Sequence, residues 1–511
     1  MKRWLTRMLS LIIVLVAMAA GWGYLQMKDR FPGYQVDLDL TPPEGIVEMK
    51  VGFAAMPITP EEWETWQDVD GDATFNPKKG DTFQDLNGNG KLDAPYIAGF
   101  HANRPATGIH DDLWVRVMVL DDGKNRMAIA SLDLIGLGSD DVIYIRMLIP
   151  ESLEIDYTTV MATHTHQGPD VLGMWGPNPY QTGLDEYYMS FVRTQTALAI
   201  IQAAQRMRPA RLMYAEDLTG AAGLVGDSRP PEVKDPGIRI IQAIDAQTDT
   251  TLGTLACWAN HPETLWSGNT EISSDFPHYY REAMEQGVGN LSGTGGICVY
   301  VNGAIGGLMT TDTTLSVRHP ITGTVYRTPS FGKAEAQGKQ LAMLSLKALR
   351  RAEPIPPAGL RIVAKTVELP LENQLFMLGA YMGVLQRGMP SWLTVRSEVA
   401  AWRIGPLSCI QVPGEIYPEL VNGGVESPAG GDFSTIEIET QPLRTQMPGE
   451  HKLVFGLAND MIGYIIPQGQ WDVEPPFTYD QAGAPYGEIN SLGPHTAPKL
   501  MNAAKEVIER L

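Results

Sequence analysis

Residues 158–170 read Thr-Thr-Val-Met-Ala-Thr-His-Thr-His-Gln-Gly-Pro-Asp, and this stretch joins a predicted buried strand to a pair of histidines. The β-branched and apolar residues 158–163 favour a strand, and Gly168-Pro169 predicts the turn that follows. Side chains alternate along an extended backbone, so we expect His164 and His166 to point to the same side. Two imidazoles at a strand end can begin a metal site, although a pair of surface histidines fits this stretch equally well.

Apolar runs typical of strands alternate with longer segments of helical periodicity on both sides of this stretch. Such alternation indicates an α/β fold in which helices flank mixed β-sheets. The Pro-rich segment 353–359 is interpreted as a linker within one catalytic unit, and 360–369 with 403–407 adds antiparallel strands and a hairpin. The predicted strands are 113–120, 127–134, 158–163, 238–244, 252–258 and 297–301, and the predicted helices are 184–207, 277–286, 333–351 and 498–511.

Size, charge and cysteine content restrict the class of protein. The chain has 511 residues, 44% of them hydrophobic and 19% charged, which suffices for a large core in one domain or several. Its formal net charge of −20 disfavours nucleic acid as a partner, because surfaces that bind nucleic acid are normally basic. The three cysteines, Cys257, Cys298 and Cys409, are far apart in apolar surroundings, and we interpret them as core residues.

The N-terminal segment 1–27 has the pattern of an export signal or a membrane anchor. Three basic residues within the first seven precede an apolar run from Met8 to Leu25. The run is about long enough to cross a bilayer as a helix, while Ala17-Met-Ala19 resembles a cleavage site. Because the basic residues come first, we expect residues 28–511 to lie on the periplasmic or extracellular face. We favour an uncleaved anchor over a cleaved signal.

Residues 66–96 form an acidic insertion that resembles a calcium-binding loop. The run from Asp85 to Asp93 matches the first nine positions of an EF-hand-type loop, with oxygen ligands at positions 1, 3, 5 and 9 and a backbone carbonyl at position 7. The twelfth position is Tyr96 instead of the usual Glu, so a further carboxylate must come from elsewhere. An acidic, turn-rich loop without metal is the alternative. The expected calcium ligands are Asp68, Asp70, Asp72, Asp81, Asp85, Asn87, Asn89, Asp93 and the backbone carbonyl of Lys91.

Three further segments place metal-ligating side chains beyond or between predicted strands. His261 follows the strand 252–258 in the run Asn-His-Pro, and Glu415 follows a strand over 408–412 in the run Pro-Gly-Glu. Tyr464 lies in the loop-rich region 456–467. Taken singly, each has an ordinary structural interpretation, such as a histidine bonded to backbone, a capping carboxylate or a core tyrosine.

Together with the motifs around them, these segments resemble the N-terminal catalytic domain of the neutral/alkaline, non-lysosomal ceramidases, a family of zinc amidases. The resemblance follows the family's order of motifs over roughly residues 50–500, and it implies the fold of that catalytic domain. The matching motifs are Gly108-Ile-His110 with Trp114-Val-Arg116, His164-Thr-His-Gln-Gly-Pro169, Asp227-Ser-Arg-Pro230, Asn260-His-Pro262, Pro413-Gly-Glu415, Ala458-Asn459 to Tyr464, and Pro485-Tyr-Gly-Glu488.

The resemblance implies a catalytic zinc site with three groups around it. Imidazole nitrogens and hard oxygens are ligands that suit Zn²⁺ without any thiolate. His166 would transfer protons beside the metal, Arg229 would bind the substrate carbonyl or its oxyanion, and Tyr486 would be a second donor there. For His110, a candidate by position, we expect a structural role. The implied zinc ligands are His164, His261, Glu415 and Tyr464.

The sequence departs from the family pattern at the serine and at the C-terminus. Gly307 falls where the ceramidases have the serine associated with attack on the amide. Thr310 or Thr311 can replace that serine only in a reshaped loop, so we predict attack by zinc-activated water and an anion bound by the glycine-rich loop. The predicted helix 498–511 ends the chain where ceramidases continue into an immunoglobulin-like domain, which weakens ceramide as the expected substrate.

These features predict a zinc-dependent, ceramidase-like hydrolase of an amide (N-acyl) or ester bond in a small molecule or lipid. The cofactors expected are Zn²⁺ at the catalytic site and Ca²⁺ as a structural ion in the acidic insertion. The alternative is a non-catalytic, calcium-stabilised extracytoplasmic binding protein on the same scaffold. The presence of all four implied ligands together with Arg229 favours the enzyme.

Overall fold

Two β-sheets stacked face to face form the centre of the protein, and helices cover their outer faces. The computed structural model describes residues 2–45, 47–307, 309–311, 313–434 and 441–511. Its longer elements are α1 (Lys2–Met27), β1 (Asp37–Leu40), β2 (Lys50–Pro57), β3 (Trp114–Asp121), β4 (Arg126–Leu132), α2 (Ser139–Leu148), β5 (Tyr157–Ala162), α3 (Glu186–Gln205), β6 (Arg208–Asp217), β7 (Ile238–Asp245), β8 (Thr251–Trp258), α4 (Phe276–Gln286), β9 (Ile297–Asn302), α5 (Phe331–Leu349), β10 (Leu360–Pro370), α6 (Gln374–Met382), β11 (Thr394–Ile404), β12 (Leu407–Gln411), β13 (His451–Phe455) and α7 (Thr496–Glu509).

Shorter elements lie in the connections between these. The short helices are Pro418–Asn422, Leu443–Gln446 and Tyr486–Ile489. The two-residue strands are Trp66–Gln67, Thr82–Phe83, Gly108–Ile109, Gly226–Asp227, Glu271–Ile272, Gly287–Val288, Leu291–Ser292, Met309–Thr310, Val317–Arg318, Val325–Tyr326, Glu353–Pro354, Glu415–Ile416 and Tyr464–Ile465.

The larger sheet has nine strands and the smaller has five. The nine-stranded sheet has the order β9-β8-β7-β6-β2-β3-β4-β5, and the short strand Glu353–Pro354 pairs with β6. Its β8–β9 and β4–β5 pairs are parallel and the other pairs are antiparallel. The five-stranded sheet has the order β1-β10-β11-β12-β13, with β12 and β13 parallel. The predicted linker 353–359 therefore connects the two sheets, because β10 follows it directly.

Apolar side chains from both sheets share one core. Val51 and Met118 of the larger sheet belong to the same buried cluster as Ile362 and Trp402 of the smaller one. A strand that is covered on both faces has few polar residues, because neither face meets water. Every residue of β5 is buried. This double burial fits residues 157–162, which carry no charged side chain and end two residues before His164.

Helices complete the core on the outer faces. α2 and α3 cover the β3–β5 end of the larger sheet, α4 and α5 cover the β8–β9 end, and α7 packs on the smaller sheet. Local sequence sets the helix starts: the Asp185 side chain accepts the amide N–H groups of Tyr187 and Tyr188 at the start of α3. The α/β fold with mixed sheets and flanking helices is thus confirmed.

The larger sheet curls until its two ends touch, and this contact positions the functional site. The Ser131 hydroxyl of β4 donates to the carbonyl of Tyr300 in β9 at 2.6 Å. The Asn302 side-chain amide, at the end of β9, donates to the carbonyl of Thr163 at 2.7 Å. The loop after β13 joins the same place, since the Asn459 amide donates to the Val160 carbonyl at 2.7 Å. Loops from both sheets therefore meet beyond the end of β5.

Helix α1 stands largely outside this core. Its segment Arg7–Met27 is long and apolar enough to cross a membrane, and within the described ranges it is the one helix that meets this condition. Most of α1 is exposed, but Gly23 and Met27 are buried against the body.

Candidate metal centre

Three buried histidines and a glutamate meet where the loops after β5, β8 and β12 converge. The rings of His164, His166 and His261 offer nitrogen atoms that lie within 4.8 Å of one another. The Oε2 atom of Glu415 lies 3.0 Å from Nε2 of His261 and 3.6 Å from Nε2 of His164. Two ligands bound tetrahedrally to one Zn²⁺ at about 2.0–2.2 Å lie about 3.3–3.6 Å apart, so the two observed spacings are close to those around a shared ion.

Backbone carbonyls hold two of the imidazoles in the orientation that a metal requires. Nδ1 of His261 lies 2.9 Å from the carbonyl oxygen of Met309, and Nδ1 of His164 contacts the carbonyl oxygen of Ile135. A carbonyl can only accept, so each Nδ1 carries a proton, and each Nε2 could offer its lone pair to a metal ion that replaced the proton shared with Glu415. Such outer hydrogen bonds fix the tautomer of metal-ligating histidines in known sites.

Tyr464 joins the cluster through a short parallel pairing. Glu415 and Tyr464 are direct partners where the strands Glu415–Ile416 and Tyr464–Ile465 pair. The buried Tyr464 hydroxyl hydrogen-bonds the Glu415 carboxylate, and burial together with this anion raises the pKa of the phenol. The structure thus brings Tyr464 to the same point as Glu415 and the two histidines.

His164 reaches the centre by leaving the strand rather than by extending it. β5 ends at Ala162, and His164 adopts a left-handed backbone with φ of 68°. This conformation costs a non-glycine residue on the order of 1–3 kcal/mol, which the surrounding packing must offset. The prediction of an extended backbone through both histidines is therefore wrong, although the rings of His164 and His166 do lie together with centroids 4.9 Å apart.

His166 occupies a tight slot beside the other two rings. Gly99 approaches so closely that a Cβ atom there would lie 2.5 Å from the imidazole, and Arg104 donates to the His166 carbonyl at 2.7 Å. Both ring nitrogens are buried without a hydrogen-bond partner among the described residues. Burial and the neighbouring positive groups lower the pKa of His166 well below its usual value, so the ring is neutral.

Glu263 is a buried acid of this centre that the sequence interpretation did not single out. Its Oε2 atom lies 3.4 Å from Nδ1 of His166, and burial raises the pKa of its carboxyl group. The available signal was its position two residues after His261 in the run His-Pro-Glu. Pro262 turns the chain so that His261 and Glu263 both face the cluster.

Burial and the Glu415 carboxylate shift the pKa values of His164 and His261 in opposite directions. Burial lowers the pKa of His164 to about 4. For His261 burial acts in the same direction, but the hydrogen bond to Glu415 and the charge of Glu263 outweigh it and raise the pKa to about 8. Although burial opposes the charged form of Glu415, His164 and His261 hold the pKa of this carboxyl group below its usual value. A divalent cation would replace the shared proton with a larger positive charge.

A cavity with largely apolar walls leads away from this centre. His164, His166, Glu415 and Tyr464 line its inner end. Residues of the segment 171–186, residues of helix α6 and Arg30 also line the cavity. The apolar wall residues include Val171, Leu172, Trp175, Leu184, Leu371, Phe376, Ala380, Leu385, Met389, Ile462 and Leu492.

Comparison with solved structures gives close fold similarity over most of the chain. The neutral ceramidase from Pseudomonas aeruginosa superposes with a TM-score of 0.62 and 15% identity, covering 91% of this chain and 75% of that one. A ceramidase complexed with C2 superposes with a TM-score of 0.63 and 14% identity, covering 91% and 76% of the two chains. The chain has the fold of a neutral ceramidase. No protein-family model and no curated protein sequence matches it.

On this neutral-ceramidase fold, Arg229 is locked into a buried ion pair instead of facing the histidines with its terminal nitrogens. Both of these nitrogens donate to the Glu488 carboxylate at 2.7 Å. They also donate to the Tyr417 hydroxyl at 2.9 Å and the Gln470 carbonyl at 2.8 Å. Only the Nε–H of Arg229 lacks a partner within the described residues. These contacts engage both terminal nitrogens of Arg229, so the substrate-binding role that the resemblance implied stays a prediction that would use its Nε–H.

Tyr486, by contrast, lines the cavity beside the metal centre. Its ring lies 6.1 Å from that of Tyr464, and its side chain is exposed. Partial burial and the negative charges of Glu415 and Glu263 raise the pKa of Tyr486 to about 12, so the hydroxyl keeps its proton and can donate. The position fits the donor role that the sequence predicted.

Gly307 stands in a conformation and an environment that disfavour a serine. Its φ is 73°, and a Cβ atom there would lie 3.1 Å from the Asp227 carboxylate. This carboxylate also opposes the prediction that the glycine-rich loop binds an anion. Thr311 is equally unsuited to replace the serine, because its hydroxyl donates to the Leu224 carbonyl at 2.7 Å and accepts from Asn260 and Gln337. Asp312, the residue after Thr311 in the glycine-rich loop, lies outside the described residues.

His110 lies apart from the metal centre. Its ring stacks on Phe331 with centroids 3.5 Å apart, and its Nε2 atom lies 3.0 Å from the Tyr279 hydroxyl. These contacts agree with the structural role expected for it.

The acidic insertion 66–96 contains two groups of carboxylates, one from Asp68 to Asp81 and one from Asp85 to Asp93. Carboxylate oxygens of Asp68, Asp70 and Asp81 lie within 4.8 Å of one another, and Lys79 pairs with Asp70 at 3.2 Å and with Asp72. In the second group, Asp85 accepts the amide N–H groups of residues 88–90, as the first ligand of an EF-hand-type loop does. The buried carboxylate nearest this loop belongs to Glu64, but its oxygens accept the amides of Leu86 and Asp93.

Proposed function

We propose that this protein is a zinc-dependent, ceramidase-like hydrolase of an N-acyl amide or ester bond. One observation supports it above all: the Nε2 atoms of His164 and His261 converge on one oxygen of Glu415, with Tyr464 bonded to the same carboxylate. Two imidazoles and two hard oxygens from separate loops are a donor set that suits Zn²⁺. The unpartnered nitrogens of His166 further support a polar ligand or substrate in the adjoining space.

Zinc held by His164, His261, Glu415 and Tyr464 would supply a Lewis acid for the scissile carbonyl and lower the pKa of a water molecule. Neutral His166 accepts the proton of the attacking water and returns it to the departing nitrogen or oxygen. Glu263, whose Oε2 atom lies 3.4 Å from Nδ1 of His166, stabilises the positive charge that this ring gains when it takes the proton.

Stabilisation of the oxyanion falls to Tyr486. Its protonated hydroxyl belongs to a side chain that lines the cavity beside Tyr464, and among the described residues no ion pair competes for it. Arg229 contributes through its Nε–H and through the Tyr417 hydroxyl that it binds. The Arg229–Glu488 ion pair also holds Tyr486 in place, because Tyr486 lies only two residues before Glu488 in the same short helix.

The shape and lining of the cavity favour a substrate with an extended apolar part. The walls beyond the metal centre are mainly aliphatic and aromatic, as in sites that bind acyl chains. The two structural neighbours are ceramidases by name, which supports a lipid amide as the first class to test. We further propose that α1 stays attached as a membrane anchor and that the body lies on the periplasmic or extracellular face.

Metal analysis and a hydrolysis screen test the proposal together. Wild-type full-length protein, purified in detergent and reconstituted with zinc, should hold one zinc ion per chain and hydrolyse at least one member of a panel of N-acyl amides, esters and lactones. His164→Ala should lose both properties, whereas the matched control His110→Ala should retain them because His110 is remote from the centre. A wild-type protein without bound zinc after reconstitution would contradict the proposal. A zinc-loaded protein inactive on the whole panel would favour a binding protein.

A further inference from the structure

Helix α6 has a composition that does not fit a surface facing water. Its nine residues, Gln-Leu-Phe-Met-Leu-Gly-Ala-Tyr-Met, include no charged side chain, yet only Ala380 is fully buried. Surface helices of soluble proteins normally present polar residues on the outer side. Here Leu375 is 62% exposed and Leu378 is 51% exposed, and the nearby Trp392 is 72% exposed. An apolar face of this kind marks an interaction site.

The neighbour of α6 is the apolar helix α1, and their contact is close. Gly23 lies flush against the Tyr381 ring, where a Cβ atom would come within 2.1 Å of the aromatic carbons. Met27 is buried in the same apolar cluster, and its carbonyl accepts the amide N–H of Met389 at 2.9 Å. Directly after the helix, Asp29 pairs with Arg396 at 2.6 Å. The end of α1 is therefore part of the body and not a loose tether.

The length of α1 then determines where the body must lie. The apolar segment Arg7–Met27 has 21 residues, and a helix needs roughly 20 to cross the hydrocarbon region of a bilayer. A crossing that stopped before Gly23 would be too short, so the turn that packs on Tyr381 has to reach the bilayer surface. Helix α6, in contact with that turn, lies at the same depth.

We propose that α6 and Trp392 rest in the outer surface of the lipid bilayer in which α1 is anchored. Leu375 and Leu378 enter the acyl region, Trp392 sits at the headgroup level that tryptophan prefers, and exposed Lys28 reaches the lipid phosphates. We call this face, formed by residues 375, 378 and 392, the docking face. The inference rests on the proposed retention of α1 as an anchor but not on the proposed zinc chemistry.

The docking face has a direct connection with the cavity. Phe376 and Ala380, four residues apart on the other side of α6, line the cavity wall, while Leu375 and Leu378 face outwards. One helix thus separates the bilayer from the route to the metal centre. A lipid can then pass from the membrane along α6 into the cavity without crossing water.

Depth-dependent fluorescence quenching tests this placement on the full chain. The three native cysteines are buried and free, so a maleimide fluorophore can label introduced cysteines selectively. We would label Leu375→Cys, Leu378→Cys and Trp392→Cys, with Ile321→Cys as a matched control, because Ile321 is 54% exposed but lies in the turn between the strands Val317–Arg318 and Val325–Tyr326. Each variant is reconstituted into phosphatidylcholine vesicles with nitroxide groups on the acyl chains.

Quenching at positions 375 and 378 should exceed that at 321 by severalfold, with position 392 intermediate. Equal quenching at all four positions, or protein that separates from the vesicles on flotation, would overturn the docking face. Because the readout needs neither metal nor turnover, it stands or falls separately from the proposed hydrolase. All four positions are exposed, so the substitutions leave the core intact.

Discussion

The Nε2 atom of His261 lies 3.0 Å from Oε2 of Glu415, although 154 residues separate the two in the sequence. His261 follows a strand of the nine-stranded sheet and Glu415 follows a strand of the five-stranded sheet. The centre therefore forms only when the two sheets are stacked. Each sheet supplies half of the donors that we propose for zinc.

Replacing Glu415 should remove the only carboxylate among the four proposed zinc ligands. We expect Glu415→Gln to weaken zinc binding by at least about 100-fold, because an amide oxygen is a much poorer zinc ligand than a carboxylate. Competition with a chelating dye measures the affinity. The matched control is Glu419→Gln, since burial already raises the pKa of Glu419 to about 7 and its carboxyl lies outside the cluster. Equal zinc affinity in Glu415→Gln and wild type would remove Glu415 from the ligand set.

Removing the His166 ring should separate proton transfer from metal binding. We expect His166→Ala to keep its zinc but lose about 10²–10⁴-fold in kcat, the usual contribution of a positioned acid–base group. The variant Glu263→Gln should show a smaller loss in kcat, because it removes only a charge that lies 3.4 Å from the ring. Zinc content is measured alongside the rate. If His166→Ala loses its metal to the same extent as His164→Ala, His166 is a ligand instead.

The Arg229–Glu488 pair should behave as a buried structural pair. Arg229→Met or Glu488→Leu alone leaves one unpartnered buried charge and should destabilise the protein by about 3–5 kcal/mol. The double substitution should recover a large part of that loss, since neither charge remains. Denaturant unfolding of the full chain in detergent provides the free energies. Additive losses in the double variant would show that the two side chains act independently.

A serine at position 307 should not restore a serine-based reaction. Gly307→Ser places a side chain on a left-handed backbone and against the Asp227 carboxylate, so we expect destabilisation by about 1–2 kcal/mol and no gain in rate. The matched control is Gly268→Ser, where a Cβ atom meets nothing within 4 Å. A rise in hydrolysis in Gly307→Ser, without a rise in the control, would contradict the proposed attack by water.

The acidic insertion should respond to calcium through Asp85. We expect Asp85→Ala to lower the melting temperature in calcium but to leave it unchanged in EDTA, because only the bound state would use this carboxylate as a ligand. The exposed Asp249, which pairs with Arg211 in a turn between β7 and β8, supplies the control substitution Asp249→Ala. Equal destabilisation with and without calcium would mean that Asp85 only orders its own loop through the amides of residues 88–90.

Local sequence patterns were sufficient for many elements and insufficient for others. The predicted strands 238–244 and 252–258 correspond to β7 and β8, and the predicted helix 277–286 corresponds to α4, because their apolar periodicity is unbroken. The central strands β2 and β6 were missed. β6 opens with Arg208 and Pro209 and ends with Glu216 and Asp217, so its periodicity is weak, and its place in the sheet comes from pairing with β7 and β2.

The same division holds for the candidate centre. His164 and Glu415 lie in short motifs near strand ends, but each motif alone also fits a structural role, and the resemblance to the ceramidases singled them out as ligands. Glu263 could not be identified as a site residue from the sequence. Its proposed role depends on a 3.4 Å contact with His166, which lies about one hundred residues earlier in the chain. The ion pair of Arg229 could not be predicted for a similar reason: its partner Glu488 lies 259 residues away.

The sequence by itself determined that this is a mixed α/β protein with an apolar N-terminal helix, an acidic insertion and histidines at the ends of apolar strands. Those features depend on the order and spacing of residues within single segments. Only the tertiary structure decided that two sheets stack, that four separated side chains meet at one point, and that α6 lies beside α1. These contacts depend on burial and on pairing between distant segments, which short-range periodicity does not encode.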